Sequence, residues 1–109
     1  EASEEFWREG TQLIERGDLR QESEKIWNSV VQAVKAYAES RGLPHDSHQL
    51  IWAAVRRLSK EAPRAVLLFA AVEQLHVNFY EGHLEREDVD ELVKAAAELR
   101  NLVLGRVRT

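Results

Sequence analysis

Val89, Leu92, Val93, Ala96, Leu99 and Val103 return at intervals of three and four residues. Apolar positions so spaced share one side of a helix, whereas a strand would alternate every second residue. The same rhythm fills the rest of the chain, and no segment alternates as a strand does. That feature confines the sequence to all-α folds. Five helices are predicted. The first, from Ser3 to Arg16, carries few apolar residues (Phe6, Leu13 and Ile14) and is stopped by Gly17, so it reads as a flanking helix. The second opens at Asp18, with Gln21 completing a capping box. Its stripe holds Ile26, Trp27, Val30, Ala33, Val34 and Tyr37, and Gly42 and Pro44 end it. Asp46 and Gln49 read as a second capping box, ahead of Leu50, Ile51, Ala54, Val55 and Leu58. Pro63 suits the first turn of a fourth helix, whose Leu68, Val72, Leu75 and Phe79 turn inward until Gly82. The fifth stripe ends at Gly105. Short connections place successive helices antiparallel. The expected architecture is an antiparallel up-and-down bundle of four main helices plus the flanking one, a single domain over residues 1–109.

A chain of 109 residues can form one core without disulfides. It has no cysteine, which excludes disulfides, thiolate metal sites and a cysteine nucleophile. With 44% apolar and 31% charged residues it has the balance of a globular domain. The net charge of -4 provides no global field for nucleic acid or an anionic membrane, so only local basic patches can serve. Apolar runs are too short to cross a bilayer. No signal-peptide pattern opens the sequence as given, and a cytoplasmic protein without a membrane role is expected. Arginine outnumbers lysine, asparagine is scarce, and cysteine and methionine are missing, a composition that leans towards a heat-adapted source.

No Gly-rich phosphate loop, Gly-x-Ser-x-Gly elbow or His-Glu-x-x-His zinc motif is present. No cofactor is expected. Glu73 and His76 form a Glu-x-x-His pair, but di-iron bundles need two such pairs and two further glutamates, so no metal is expected. His45 and His48 are spaced to touch one ion, or to sit in a solvated loop and a first turn; spacing marks no third ligand. Arg56, Arg57, Lys60 and Arg64 are placed either to hold phosphates or to answer the dipole of a helix C-terminus. Trp27 belongs to a core stripe. Trp52 points off its stripe, which marks either an oligomer contact or a wide apolar face packed between two neighbours.

The stretch "LHVNFYEGHL" concentrates polar and aromatic groups around one apolar face. Leu75 and Phe79 continue the inward stripe. His76 and His83 fall at one margin, with Tyr80 beyond them, and Asn78 falls at the other. Marginal polar groups either bond neighbouring helices and fix the register, or line a groove. Glu73, His76, Asn78 and Tyr80 are the candidate binding residues on the second reading.

Three stretches, "GDLRQESEKIWNSVVQAVKAYAESRG", "HDSHQLIWAAVRRL" and "LHVNFYEGHLEREDVDELV", together resemble the PaREP family of archaeal proteins, from Ser3 to Val103. The resemblance implies a small helical bundle like the HEPN domains found in toxins, ribonucleases and nucleotidyltransferase partners. It implies self-association as a homodimer. It also implies a non-catalytic module that binds a partner, such as a nucleotidyltransferase, or a nucleotide or RNA ligand. The alternative it offers is a metal-independent ribonuclease or toxin. Active HEPN ribonucleases carry an arginine shortly before a histidine, and Arg41 and His48 match that spacing. They fall in the connection between the second and third helices, however, and His76, on the fourth, has Ala70, Ala71 and Val72 where an arginine would precede it. Catalytic residues are therefore not expected.

Overall fold

The computed structural model describes residues 2–16 and 18–107. Gly17, Arg108 and the side chains of Leu13 and Ile14 lie outside the described residues. Five helices follow one another: α1 (Ala2–Arg16), α2 (Leu19–Ser40), α3 (His48–Leu58), α4 (Ala65–Glu81) and α5 (Arg86–Leu104). There is no strand among the described residues.

The longest helix, α2, is the axis on which the other four pack. The stripes read from the sequence supply the core: Val30 and Val34 of α2, Val55 and Leu58 of α3, Val72 and Leu75 of α4, Val89 and Leu99 of α5 are all closed to solvent. Each such side chain contributes about 1.5–3 kcal/mol by leaving water.

Cross-helix contacts fix the directions. Ser3 meets Ser29 and Glu9 meets Lys25, so α1 runs against α2. His76 meets Glu24, and the carbonyls of Phe79 and Tyr80 meet Arg20, so α4 also runs against α2. Glu22 meets Arg86 near the starts of α2 and α5, and Arg41 meets Arg106 just past their ends, so these two helices run together. The four long helices thus alternate in direction along the chain. The short α3 is placed differently. His48, at its start, lies against Trp27, and Glu61, just past its end, lies against Arg41. Residues 41–47 therefore lead back along α2, and α3 climbs in the same sense as α2.

Local chemistry sets the boundaries. Asp18 accepts the Gln21 amide at 3.1 Å and caps α2. The cap of α3 is Ser47, not Asp46: its hydroxyl accepts the Leu50 amide at 3.1 Å, so the frame sits one residue later than the Asp46–Gln49 box. Pro63 lies in the turn before α4 rather than in its first turn, and Arg64 takes the cap position without a side-chain bond. Glu85 and Asp88 form a capping box on α5 that the apolar pattern does not reveal. Gly82 ends α4 with φ at 61°, a left-handed conformation that glycine adopts without a steric penalty. Arg20 completes that end by donating to the Phe79 and Tyr80 carbonyls at 3.0 and 2.8 Å.

The flanking helix α1 is joined to α2 by polar bonds. The Ser3 hydroxyl donates to the Ser29 carbonyl and the Ser29 hydroxyl to the Ser3 carbonyl, both at 2.9 Å. Arg100 of α5 reaches across to Ser3 and Glu4. Gly10 lets the helices approach: a methyl there would lie 2.7 Å from Ile26 Cδ1.

Candidate functional site

Glu24, Trp27, Asn28, Val31 and Lys35 recur along one side of α2 at helical spacing. The returning 41–47 segment lays His45, Asp46 and Ser47 beside that side, α3 adds His48 and Ile51, and α4 adds His76. All of these but Glu24 line an open cleft of about 310 Å³.

The Trp27 indole, only 4% exposed, forms its floor. His76 stacks on it at 5.5 Å between ring centroids with 28° between the planes. His48 lies against the same indole at 6.3 Å, tilted by 45°. Each imidazole is held by a carboxylate from another helix. His76 Nδ1 donates to Glu24 Oε1 at 2.8 Å, and His48 Nε2 donates to Glu73 Oε2 at 2.6 Å. A carboxylate only accepts, so both bonds fix which ring nitrogen carries a proton. The other nitrogen of each ring has no partner among the described residues. Tyr80, 64% exposed, meets the His76 ring edge-on at 5.3 Å and extends the aromatic surface outward. Asn28, Lys35 and His45 line the rim, and none of the three bonds another described side chain.

Glu73, His76 and Tyr80 are placed near one another, but the Glu-x-x-His pair does not act together. Glu73 turns to α3, where it accepts from both His48 and the Trp52 indole N–H, the latter at 3.2 Å. His76 turns to α2. No group of three or more His, Cys, Asp or Glu side chains that could hold a metal ion occurs among the described residues. Trp52 is packed: besides Glu73 it meets Phe69 edge-on at 4.8 Å and lies under Arg56. The second reading of this tryptophan, a wide apolar face between two neighbours, is the one its surroundings fit.

Asn78 lies apart from the cleft, fully buried. Its amide nitrogen donates to Ser23 Oγ at 3.0 Å, and its oxygen accepts the Leu84 amide at 2.8 Å. His83 lies exposed beyond the end of α4. Arg41 and His48 are not brought together. The Arg41 guanidinium lies over the Tyr37 ring at 5.0 Å, 3.6 Å from Glu61 and 3.3 Å from the Arg106 carbonyl.

Trp27, Glu24 and Lys35 are missing from the candidates read from sequence. Trp27 read only as core, and Glu24 and Lys35 lie on a side of α2 that becomes visible as a cleft only when a neighbour is known to leave it open. One buried ion pair adjoins this region. Glu22, closed to solvent, accepts from Arg86 at 3.0 and 3.3 Å. Burial pushes its carboxyl above the ordinary range, and Arg86 offsets part of that rise.

No helix among the described residues is long and apolar enough to cross a membrane. No curated protein matches the sequence. A crystal structure of a protein from Sulfolobus solfataricus superposes with a TM-score of 0.89 at 20% identity, covering 99% of this chain and 98% of that one. At that identity the likeness speaks for the fold. Residues 1–100 match the model of the archaeal PaREP1/PaREP8 family, and the chain belongs to that family.

Proposed function

We propose that this chain is a HEPN-like binding module whose cleft between α2, α3 and α4 takes a nucleotide or a short single-stranded RNA segment. The observation that carries this reading is the arrangement around Trp27: two imidazoles fixed by carboxylates, each with a nitrogen that no described residue engages, beside Lys35, Asn28 and His45, which bond no other described side chain. Lys35 is suited to phosphate, the spare imidazole nitrogens can accept from a ribose hydroxyl or a base N–H, and the His76–Tyr80 edge offers a base a surface to stack on. The module acts as a homodimer. Its partner surface is the outer side of α4, where Leu67 is 69% exposed and Ala70 and Gln74 lie open beside it without a charge. A nucleotidyltransferase is the partner that the HEPN likeness suggests for the assembled dimer.

The test is calorimetric titration of the pure protein with adenosine monophosphate and with a short oligoribonucleotide. At least one is expected to bind saturably, and Lys35→Ala is expected to weaken it about tenfold. Absence of saturable binding, or indifference to Lys35→Ala, rules the cleft out. Light scattering checks the dimer: Leu67→Glu is expected to give monomer from a dimeric wild type, and a monomeric wild type refutes that part.

A ribonuclease is the second reading, favoured by the two carboxylate-backed imidazoles, which have the form of an acid and base pair. Binding without chemistry is preferred because Arg41, the arginine that the spacing assigns to such a reaction, is engaged with Tyr37 and Glu61 instead. RNA cleavage that is lost in His48→Ala would make ribonuclease the function.

A further inference from the structure

The C-termini of α2, α3 and α5 gather at one end of the bundle, and two arginines stand among them. Arg41 follows α2 and Arg106 follows α5. Between them lies a notch of about 240 Å³, walled also by Glu61 and Gly105. Arg106 is the common wall of a second notch, of about 180 Å³, lined by Ala62, Pro63 and Leu102 with Arg64 and Glu98 at its sides.

The two guanidiniums have hydrogen-bonding capacity to spare. Arg41 is held in place on the Tyr37 ring, its side chain 16% exposed. One of its terminal nitrogens donates to the Arg106 carbonyl over a long 3.3 Å; its Nε is buried, so the terminal nitrogens are what a ligand can reach. Arg106 spends Nη1 on the Leu102 carbonyl at 3.2 Å. Among the described residues a single carboxylate, Glu61, serves both arginines from 3.6 and 3.7 Å, beyond hydrogen-bond length, and is itself 42% exposed. Two positioned positive charges thus face one loosely held negative charge. Planar guanidiniums with free donors recognise carboxylate or phosphate. The adjoining notch separates these options. Ala62, Pro63 and Leu102 can shelter an alkyl group from water, and Arg64, the donor beside them, is committed to Glu98 at 2.6 and 3.0 Å rather than to the further oxygens of a phosphate.

We infer that the joined notches are a site for a small carboxylate with a short apolar tail. The carboxylate lies between Arg41 and Arg106 and displaces Glu61; the tail lies on Ala62, Pro63 and Leu102. This site shares no residue with the His48–His76 cleft and does not depend on its function. A free organic acid and the end of a peptide chain both carry this chemistry.

Calorimetric titration of the full chain with isocaproate and with N-acetyl-leucine tests the site, with isocaproamide and inorganic phosphate as controls. At least one acid is expected to bind saturably, and the tighter of the two identifies the source. The amide is expected to bind at least about tenfold more weakly, and Arg106→Gln to weaken the acid to a similar degree. Glu61→Gln removes the competing carboxylate and is expected to tighten binding severalfold, a gain that damage to the fold does not produce. The inference is overturned if neither acid binds saturably or if the amide binds as well as the acid. It is equally overturned if phosphate binds more tightly than either acid, or if Glu61→Gln leaves the affinity unchanged.

Discussion

Two polar clusters adjoin on α2 and turn to different surroundings. In the first, Ser23 and Asn78 face each other in the interior, and Asn78 uses both ends of its amide, on Ser23 and on the Leu84 backbone. In the second, Glu24 holds His76 at the edge of the cleft, and the imidazole keeps a nitrogen without a partner among the described residues. One residue along α2 turns the side chain by about 100°, and that rotation carries it from a dry interface to an open one. The comparison separates two uses of the same chemistry. Polar groups that exhaust their bonds on the protein define how the helices pack. Polar groups with capacity left at a concave surface are what a ligand can recognise.

The largest effect is expected where the bonds are closed. Asn78→Ala removes a buried amide and leaves the Leu84 N–H without its acceptor, while Ser23 keeps its bond to the Leu19 carbonyl. A loss of about 2–3 kcal/mol is expected, read from urea unfolding at neutral pH. A loss below that of His76→Ala breaks the comparison.

His76→Ala sharpens it from the other side. The His76 side chain is 35% exposed, and water can replace what the imidazole gave Glu24. A loss of about 1 kcal/mol or less is expected in the same unfolding experiment, since partly exposed pairs contribute little. The variant is expected to lose affinity for the cleft's ligand out of proportion to that small change. A large loss of stability with binding intact would move His76 into the structural class.

The contrast was partly legible in the sequence. The apolar stripes predicted every helix, because burial of one face leaves a periodic record. The margins of α4 were also legible: Asn78 at one side and His76 at the other are where the wheel places them. The cleft was not, because it depends on the path of residues 41–47. Spacing alone leaves Arg41 and His48 in one connection, whereas the chain runs back along α2 and carries them to different neighbours. The choice of Ser47 over Asp46 as cap was hidden as well, since both have a suitable side chain and only the backbone frame decides. Trp27 showed only its core role, because a residue that is both core and floor leaves the same apolar mark as core alone.

The smallest effect at neutral pH is expected at Glu22, and it tests whether the interior cluster is as dry as its bonding implies. The Glu22 carboxyl is raised in the folded protein, chiefly by burial, despite Arg86. In the unfolded chain the group returns to its ordinary value, so between the two values the folded state holds a proton that the unfolded state has released. Stability contributed by this group therefore grows as pH falls through the folded value and levels off below the ordinary one. Glu22→Gln cannot titrate, and its side chain still offers Arg86 an acceptor. The stability of the wild type minus that of Glu22→Gln is expected to rise from neutral towards mildly acidic pH, measured by urea unfolding at several pH values. A difference that stays flat, or falls with acid, would mean that water reaches Glu22 and that the interior cluster is open as the cleft is.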